Sequence, residues 1–414
     1  MSASAWEVPD YRRFLLARTV AMAGGTLAQV AMPILVFQLT GSAAWTALTA
    51  VVETLPYLVV GLPAGALADR WDRRRTLVVG EVLSAGALLT VPLATWVGVL
   101  SVGQVLAVAA VVSTAFVFTD AATFGLVPAL VERERIPSAT SVLVTVGTTL
   151  GLVGPVVSGV LVVVLGPAVV LGVDGVAYAV SAAVLAGLAV PATDAPPPVR
   201  RRLRVEIGEG LAFIRDHALV RRLTLLGIGN SLAGGAVTGL LVVVGVQQLG
   251  LGADDARIGW LFAAGAAGSL LASTMLPRLQ RRVAVGAITT GGFAVALVGV
   301  LALSASGRLV PALVAVAAFH LASTTLIVNG IVTRQVVTPA VLQSRVNTTA
   351  RLVAWGGSPL GAALGGVLAE TVGTDWALRV AAFGLAASLA AALATKLRST
   401  PLLGDLEEAT TAAG

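Results

Sequence analysis

Five ionisable residues, Arg18, Glu53, Asp120, Asp174 and His320, stand in stretches otherwise almost free of charge. An acid or base among apolar side chains pairs with an opposite charge, holds a proton or meets a polar ligand, because charge left alone there is expensive. Glu53 has no arginine or lysine on its own stretch until the far end. It is therefore the first candidate proton carrier; the competing role is a protonated, hydrogen-bonded packing acid. Asp120 and His320 are the other proton-coupling candidates, and a neutral histidine bonded between helices is the alternative for His320. Arg18 and Asp120 fall at similar depth and are expected to pair, unless Arg18 reaches back to the surface. Glu81 is read as a solvated partner of Arg74 or Arg75 near the start of its stretch.

Those residues need a scaffold, and composition says which. The 414 residues are 57% hydrophobic and 12% charged, with 46 glycines. A soluble domain carries about a quarter charged residues. Abundant glycine in so apolar a chain fits transmembrane helices packed through small side chains. There is no cysteine, which excludes disulfides, zinc–thiolate sites and cysteine nucleophiles. Lys396 is the only lysine and Leu397 follows it, so no Gly-Lys-Ser/Thr phosphate loop exists. No metal site or cofactor is expected. A formal charge of +6 invites a nucleic-acid reading, but the arginines are not gathered on one soluble module.

A spanning helix takes about 20 mainly apolar residues. Twelve such stretches are read: 14–39, 44–68, 76–97, 102–127, 139–165 and 168–190, then 219–248, 257–276, 283–304, 309–333, 347–371 and 375–397. The residues before Phe14 lack a short apolar core, so the first span is expected to act as its own insertion signal. Arginine collects in alternate loops, including Arg73 to Arg75, 200–204 and Arg281–Arg282. By the positive-inside rule that side is cytoplasmic, and both termini lie there.

The halves repeat. Tyr11-Arg-Arg-Phe14 resembles Val220-Arg-Arg-Leu223, and 68–74 matches 276–282 at all three arginine positions. The expected organisation is an N-terminal six-helix bundle over 1–190, a cytoplasmic linker over 191–218, a C-terminal bundle over 219–397 and a cytoplasmic tail over 398–414. The linker holds Leu203, Ile207, Leu211 and Ile214 at helical spacing, an amphipathic surface helix. The tail reads as acidic and mobile.

Between the second and third spans lies Gly65-Ala-Leu-Ala-Asp69-Arg70-Trp-Asp72-Arg73-Arg74-Arg75. It resembles the loop signature of the major facilitator superfamily, carried here by Gly65, Asp69, Arg70, Arg73 and Arg74; Asp72 stands where glycine is commonest. The stretches 126–134, 209–213 and Pro359-Leu-Gly361 resemble its drug, siderophore and macrolide exporter branch, the transmembrane secretion effector type. The fifth span's Gly151-Leu-Val-Gly154-Pro155-Val-Val-Ser158-Gly159 resembles the exporters' helix-5 signature, with Ser158 replacing a glycine. Close helix packing by small residues explains the same pattern.

The resemblance implies an all-α membrane protein of two pseudo-symmetric six-helix bundles, and a proton-coupled exporter of small apolar or amphiphilic compounds working by alternating access. A lysolipid flippase or solute importer of the same fold is the near alternative, and a membrane sensor or enzyme the distant one. Expected partners are a small-molecule substrate, protons and membrane lipids, with the chain a monomer in a bacterial inner membrane. In this superfamily helices 1, 4, 7 and 10 line the cavity. That makes Arg18, Gln29, Phe116, Asn230 and Thr324 the substrate-cavity candidates. The loop signature implies a conformational latch, in which Asp69 meets a helix N-terminus and the arginines pair with acids such as Glu132 and Glu134.

Overall fold

The computed structural model describes residues 8–68, 71–132, 135–188, 203–339 and 342–413. Among them every regular element is helical, and twelve helices are long and apolar enough to cross a membrane. Large apolar side chains such as Val164, Phe383 and Trp96 are exposed, as lipid-facing residues must be. The backbone polar groups are satisfied inside each helix, which is what the bilayer interior demands.

The chain divides into two compact units. Unit 1 comprises Met1–Trp45, Val52–Pro198 and Leu251–Ala263; unit 2 comprises Thr46–Val51, Val199–Gly250 and Ala264–Gly414. The first six helices are α1 (Pro9–Thr40), α2 (Ala43–Ala68), α3 (Arg73–Val97), α4 (Val102–Leu130), α5 (Ile136–Leu165) and α6 (Pro167–Ala186). Their ends follow local chemistry. Asp72 caps α3 by accepting a hydrogen bond from Arg75 N at 2.8 Å, and Ser101 caps α4. Gly41 and Gly98 close α1 and α3 in the left-handed conformation. Inside unit 1, α6 packs on α1 and α3, α5 on α1, and α4 on α3. Tyr11, Phe14, Leu77, Leu126 and Leu185 form one buried cluster at the end of the unit nearest the start of α1. Tyr11 Oη donates to Ala139 O at 2.7 Å, tying α1 to α5.

The rest of the chain folds as α7 (Leu203–Asp216), α8 (Ala218–Val243), α9 (Arg257–Gln280), α10 (Val285–Ser304), α11 (Leu309–Val337), α12 (Gln343–Trp355), α13 (Gly357–Val372), α14 (Thr374–Ala394) and α15 (Leu403–Ala413). A π-helical turn, Val244–Gln248, extends α8. In unit 2, α8 packs on α13 and α14, and α10 on α11 and α14. The stretch read as a linker contains α7, which is counted in unit 2. This helix packs on α12, and its Ile214 is buried with Val220, Val346 and Ala350.

The eleventh span, read as 347–371, crosses as Leu352–Val372, with a turn at Gly356 between α12 and α13. The tail expected to be mobile instead forms α15, packed on α11, after Val285 N bonds to Pro401 O at 3.0 Å.

Candidate functional site

Arg18 and Gln29 lie eleven residues apart on α1, three turns along one face. In unit 1 that face borders a cavity of about 400 Å³. Gln29, Glu53 and Phe116 are exposed there, from α1, α2 and α4, and Met22, Met32 and Tyr178 complete a mixed apolar and polar wall. Glu53 makes no hydrogen bond or ion pair with the described residues. The cavity therefore brings together four of the sequence candidates: Arg18, Gln29, Glu53 and Phe116. Flexible methionine and aromatic side chains adapt to apolar ligands of varied shape, while Gln29 and Glu53 offer polar contacts.

Arg18 is not paired with Asp120. Its Nη1 lies 2.6 Å from Glu81 Oε1, with side-chain exposures of 6% and 0%, so the pair is desolvated. Asp120 is half-buried on α4 and is not among the residues bordering the cavity. Glu81 is correspondingly no solvated surface acid. The helix begins at Arg73, which carries Glu81 two turns inside, about 12 Å at 1.5 Å per residue. α6 completes this region: Asp174 is fully buried and borders the cavity, and Ser181 lies beside Glu81. Asp174, Tyr178 and Ser181 recur at i, i+4 and i+7 along α6. That spacing was the available signal for Tyr178 and Ser181, which sequence reading missed.

The loop signature divides. Gly65 lies in α2, while Asp69 and Arg70 fall outside the described residues. Arg73 and Arg74 do not pair with Glu132. Arg73 Nη1 donates to Gly125 O at 2.5 Å on α4. Arg74 donates to Leu185 O at 3.0 Å and also to Ala186 O, at the C-terminal end of α6. The last carbonyls of a helix lack intrahelical donors and carry partial negative charge, so they hold a guanidinium as an acid would. Glu132 instead pairs with Arg135 at 3.5 Å; Glu134 lies outside the described residues.

In the helix-5 signature Pro155 sits inside α5, and Gly151 has open space around its Cα. A Cβ at Gly154 would overlap Thr26 Oγ1 of α1, so the close approach requires glycine there. Gly159 lies against Ala256 and Gly259, also of unit 1. Ser158, the departure from the exporter pattern, is fully buried and donates to Leu27 O at 2.7 Å.

Unit 2 holds the remaining candidates. Asn230 Nδ2 donates to Ser323 Oγ at 3.0 Å, and Thr324 Oγ1 to Ser269 Oγ at 3.0 Å. His320 packs against Gly265, with Nε2 buried and without a hydrogen-bond partner among the described residues. A polar network that sequence reading missed joins three helices: Gln280 donates to Asn329 Oδ1 at 3.0 Å, and Asn329 to Thr289 Oγ1 at 3.2 Å.

Twelve apolar helices in two units, with a cavity of mixed apolar and polar lining inside one of them, define a multi-pass membrane protein, and its likeness to solved transporters is that of the major facilitator fold. The transmembrane secretion effector family matches residues 4–408, and the chain belongs to that family. It is 29% identical over 373 residues to the multidrug efflux pump Tap of Mycolicibacterium fortuitum, covering 87% of this chain and 89% of that protein. The Tap protein of Mycobacterium tuberculosis (strain ATCC 25618 / H37Rv) is 29% identical over 222 residues, so there the chain spans about half of its relative, 52%. Among solved structures, a bacterial homologue of the human lysosomal transporter Spinster superposes with a TM-score of 0.70 at 15% identity, over 98% of this chain and 97% of that one. That likeness concerns the fold. By name these relatives are transporters and efflux pumps, not enzymes.

Proposed function

We propose that this protein is a secondary active exporter of small apolar or amphiphilic molecules, driven by protons and working by alternating access. The observation that carries the reading is the unit 1 cavity, where Glu53, a carboxyl without a partner among the described residues, shares a wall with Met22, Met32 and Phe116. A ligand with an apolar body and a polar handle fits such a lining. Membership of the secretion effector family and the efflux-pump names of its relatives support the direction of transport. In this reading both termini face the cytoplasm of a bacterial inner membrane, and Gly65, Asp69, Arg70, Arg73 and Arg74 latch the cytoplasmic ends of the helices.

Thermal stabilisation of purified protein across a panel of antibiotics, siderophores and lysolipids would first identify a ligand. Flux of that ligand in proteoliposomes, with and without an imposed pH gradient, then tests coupling. Glu53→Gln, a mimic of the protonated acid, should lose uphill transport and retain downhill exchange. Full gradient-driven accumulation by Glu53→Gln would remove Glu53 from the coupling role.

A further inference from the structure

Asp174 has no task in the reading above, yet its placement is specific. Its side chain is fully buried on α6, and neither Oδ1 nor Oδ2 has a hydrogen-bond partner among the described residues. It borders the unit 1 cavity. α1 makes room for it with glycine, since a Cβ at Gly24 would overlap Asp174 Oδ1. A larger residue at position 24 would expel the carboxyl, so the packing admits the acid where an apolar contact would be easier to build.

The surrounding charges are few. α6 packs on α1, α3 and α5. From α1 the facing ion is Arg18, from α3 it is Glu81, and α5 carries no ionisable side chain among its described residues. Tyr178 stands one turn along α6, within electrostatic reach of Asp174, Arg18 and Glu81. Glu53 lies elsewhere on the cavity wall. That guanidinium is bonded to Glu81, so the buried Asp174 carboxyl has no counter-ion of its own among the described residues. Ionised, Asp174 would be an unpaired charge held out of water, which burial strongly disfavours. One bound proton makes it neutral.

We propose that Asp174 is a proton-binding site in the cavity wall, and that its proton keeps neutral a buried carboxyl that has no counter-ion among the described residues. Residence of the proton stands on this geometry alone. Its exchange during transport rests on the exporter reading: water or a cationic group entering the cavity can take the proton's place beside the carboxylate, and Asp174 then releases its proton.

The test is infrared spectroscopy of the purified full-length protein, unlabelled and with aspartate carboxyl groups labelled with carbon-13. At neutral pH the wild type should show a protonated carboxyl C=O band that shifts with the label. The band should vanish in Asp174→Asn and persist in Glu53→Gln. Absence of a label-sensitive protonated band in wild type would overturn the site, as would its persistence in folded Asp174→Asn. Should Asp174→Asn fail to fold, Tyr178→Phe serves instead: removing the neighbouring hydroxyl should move the band, and an unmoved band would place the proton elsewhere. Protein that shows the band but moves no ligand against a pH gradient would end the exporter reading and leave this site in place.

Discussion

Arg18 on α1 and Glu81 on α3 form a desolvated ion pair, Nη1 to Oε1 at 2.6 Å, across 63 residues of sequence. Breaking a buried pair by removing one partner leaves an uncompensated charge and costs about 3–5 kcal/mol. Arg18→Met and Glu81→Gln should each lower the thermal unfolding temperature in detergent strongly. The double variant should be less damaged than the sum of the two. Additive losses would show that the two side chains do not depend on each other, and a parallel cycle of Arg18 with Asp120 should be close to additive.

Adjacent arginines should behave differently. Arg74 donates to the final carbonyls of α6, whereas among the described residues Arg75 is engaged through its backbone N alone, by the Asp72 cap. Arg74→Ala should cost about 1–2 kcal/mol, allowing for partial exposure of a charged hydrogen bond. Arg75→Ala should stay within about 0.5 kcal/mol of wild type. Equal losses in the two variants would mean that the shared effect is membrane topology.

Ser158 fills a position where the resembling exporters carry glycine, and its hydroxyl bonds to Leu27 O. Ser158→Ala should destabilise by about 1 kcal/mol, the net worth of one such bond. Ser158→Gly should lose the bond and gain backbone freedom, and so be the weaker of the two. A Ser158→Gly protein as stable as wild type would show that α1 and α5 need only small residues there.

Outside the membrane, Asp255 receives hydrogen bonds from Arg257, whose side chain and backbone N hold its carboxyl below the ordinary carboxylate range. A lowered acid stabilises the fold above its unfolded value, and the contribution is lost as pH falls through the folded value. Wild type should therefore melt slightly above Asp255→Asn at neutral pH, and the two should converge in acid. The gap should be small because Arg257 is half exposed. A difference that widened on acidification would contradict the sign.

The twelve spans were legible because apolar length alone specifies a membrane helix, and Arg18 and Gln29 were singled out because the family resemblance puts helix 1 on the cavity. Pairing was not legible. Sequence gives the depth of Arg18 and Asp120 but not the direction in which each helix turns its face, and α3 presents Glu81 first. Glu81 itself was misread because the hydrophobic run starts after the helix does: three arginines belong to the first turn of α3. The carbonyls that hold Arg73 and Arg74 have no sequence signature, since any helix end supplies them. Gly24 and Asp174 meet only after α1 and α6 pack together.

The bonds Tyr11 to Ala139 and Ser158 to Leu27 have a mechanical consequence. Both pairs advance in the same direction along α1 and α5, so the helices run parallel and are riveted at two levels. Along α1 the rivets are roughly 24 Å apart at 1.5 Å per residue. Two fixed points that far apart suppress both sliding and splaying, so α1 and α5 form a strut that moves only as one piece. Spin labels placed on these two helices would keep their separation through a working cycle, giving an internal ruler against which the displacement of any other helix can be measured.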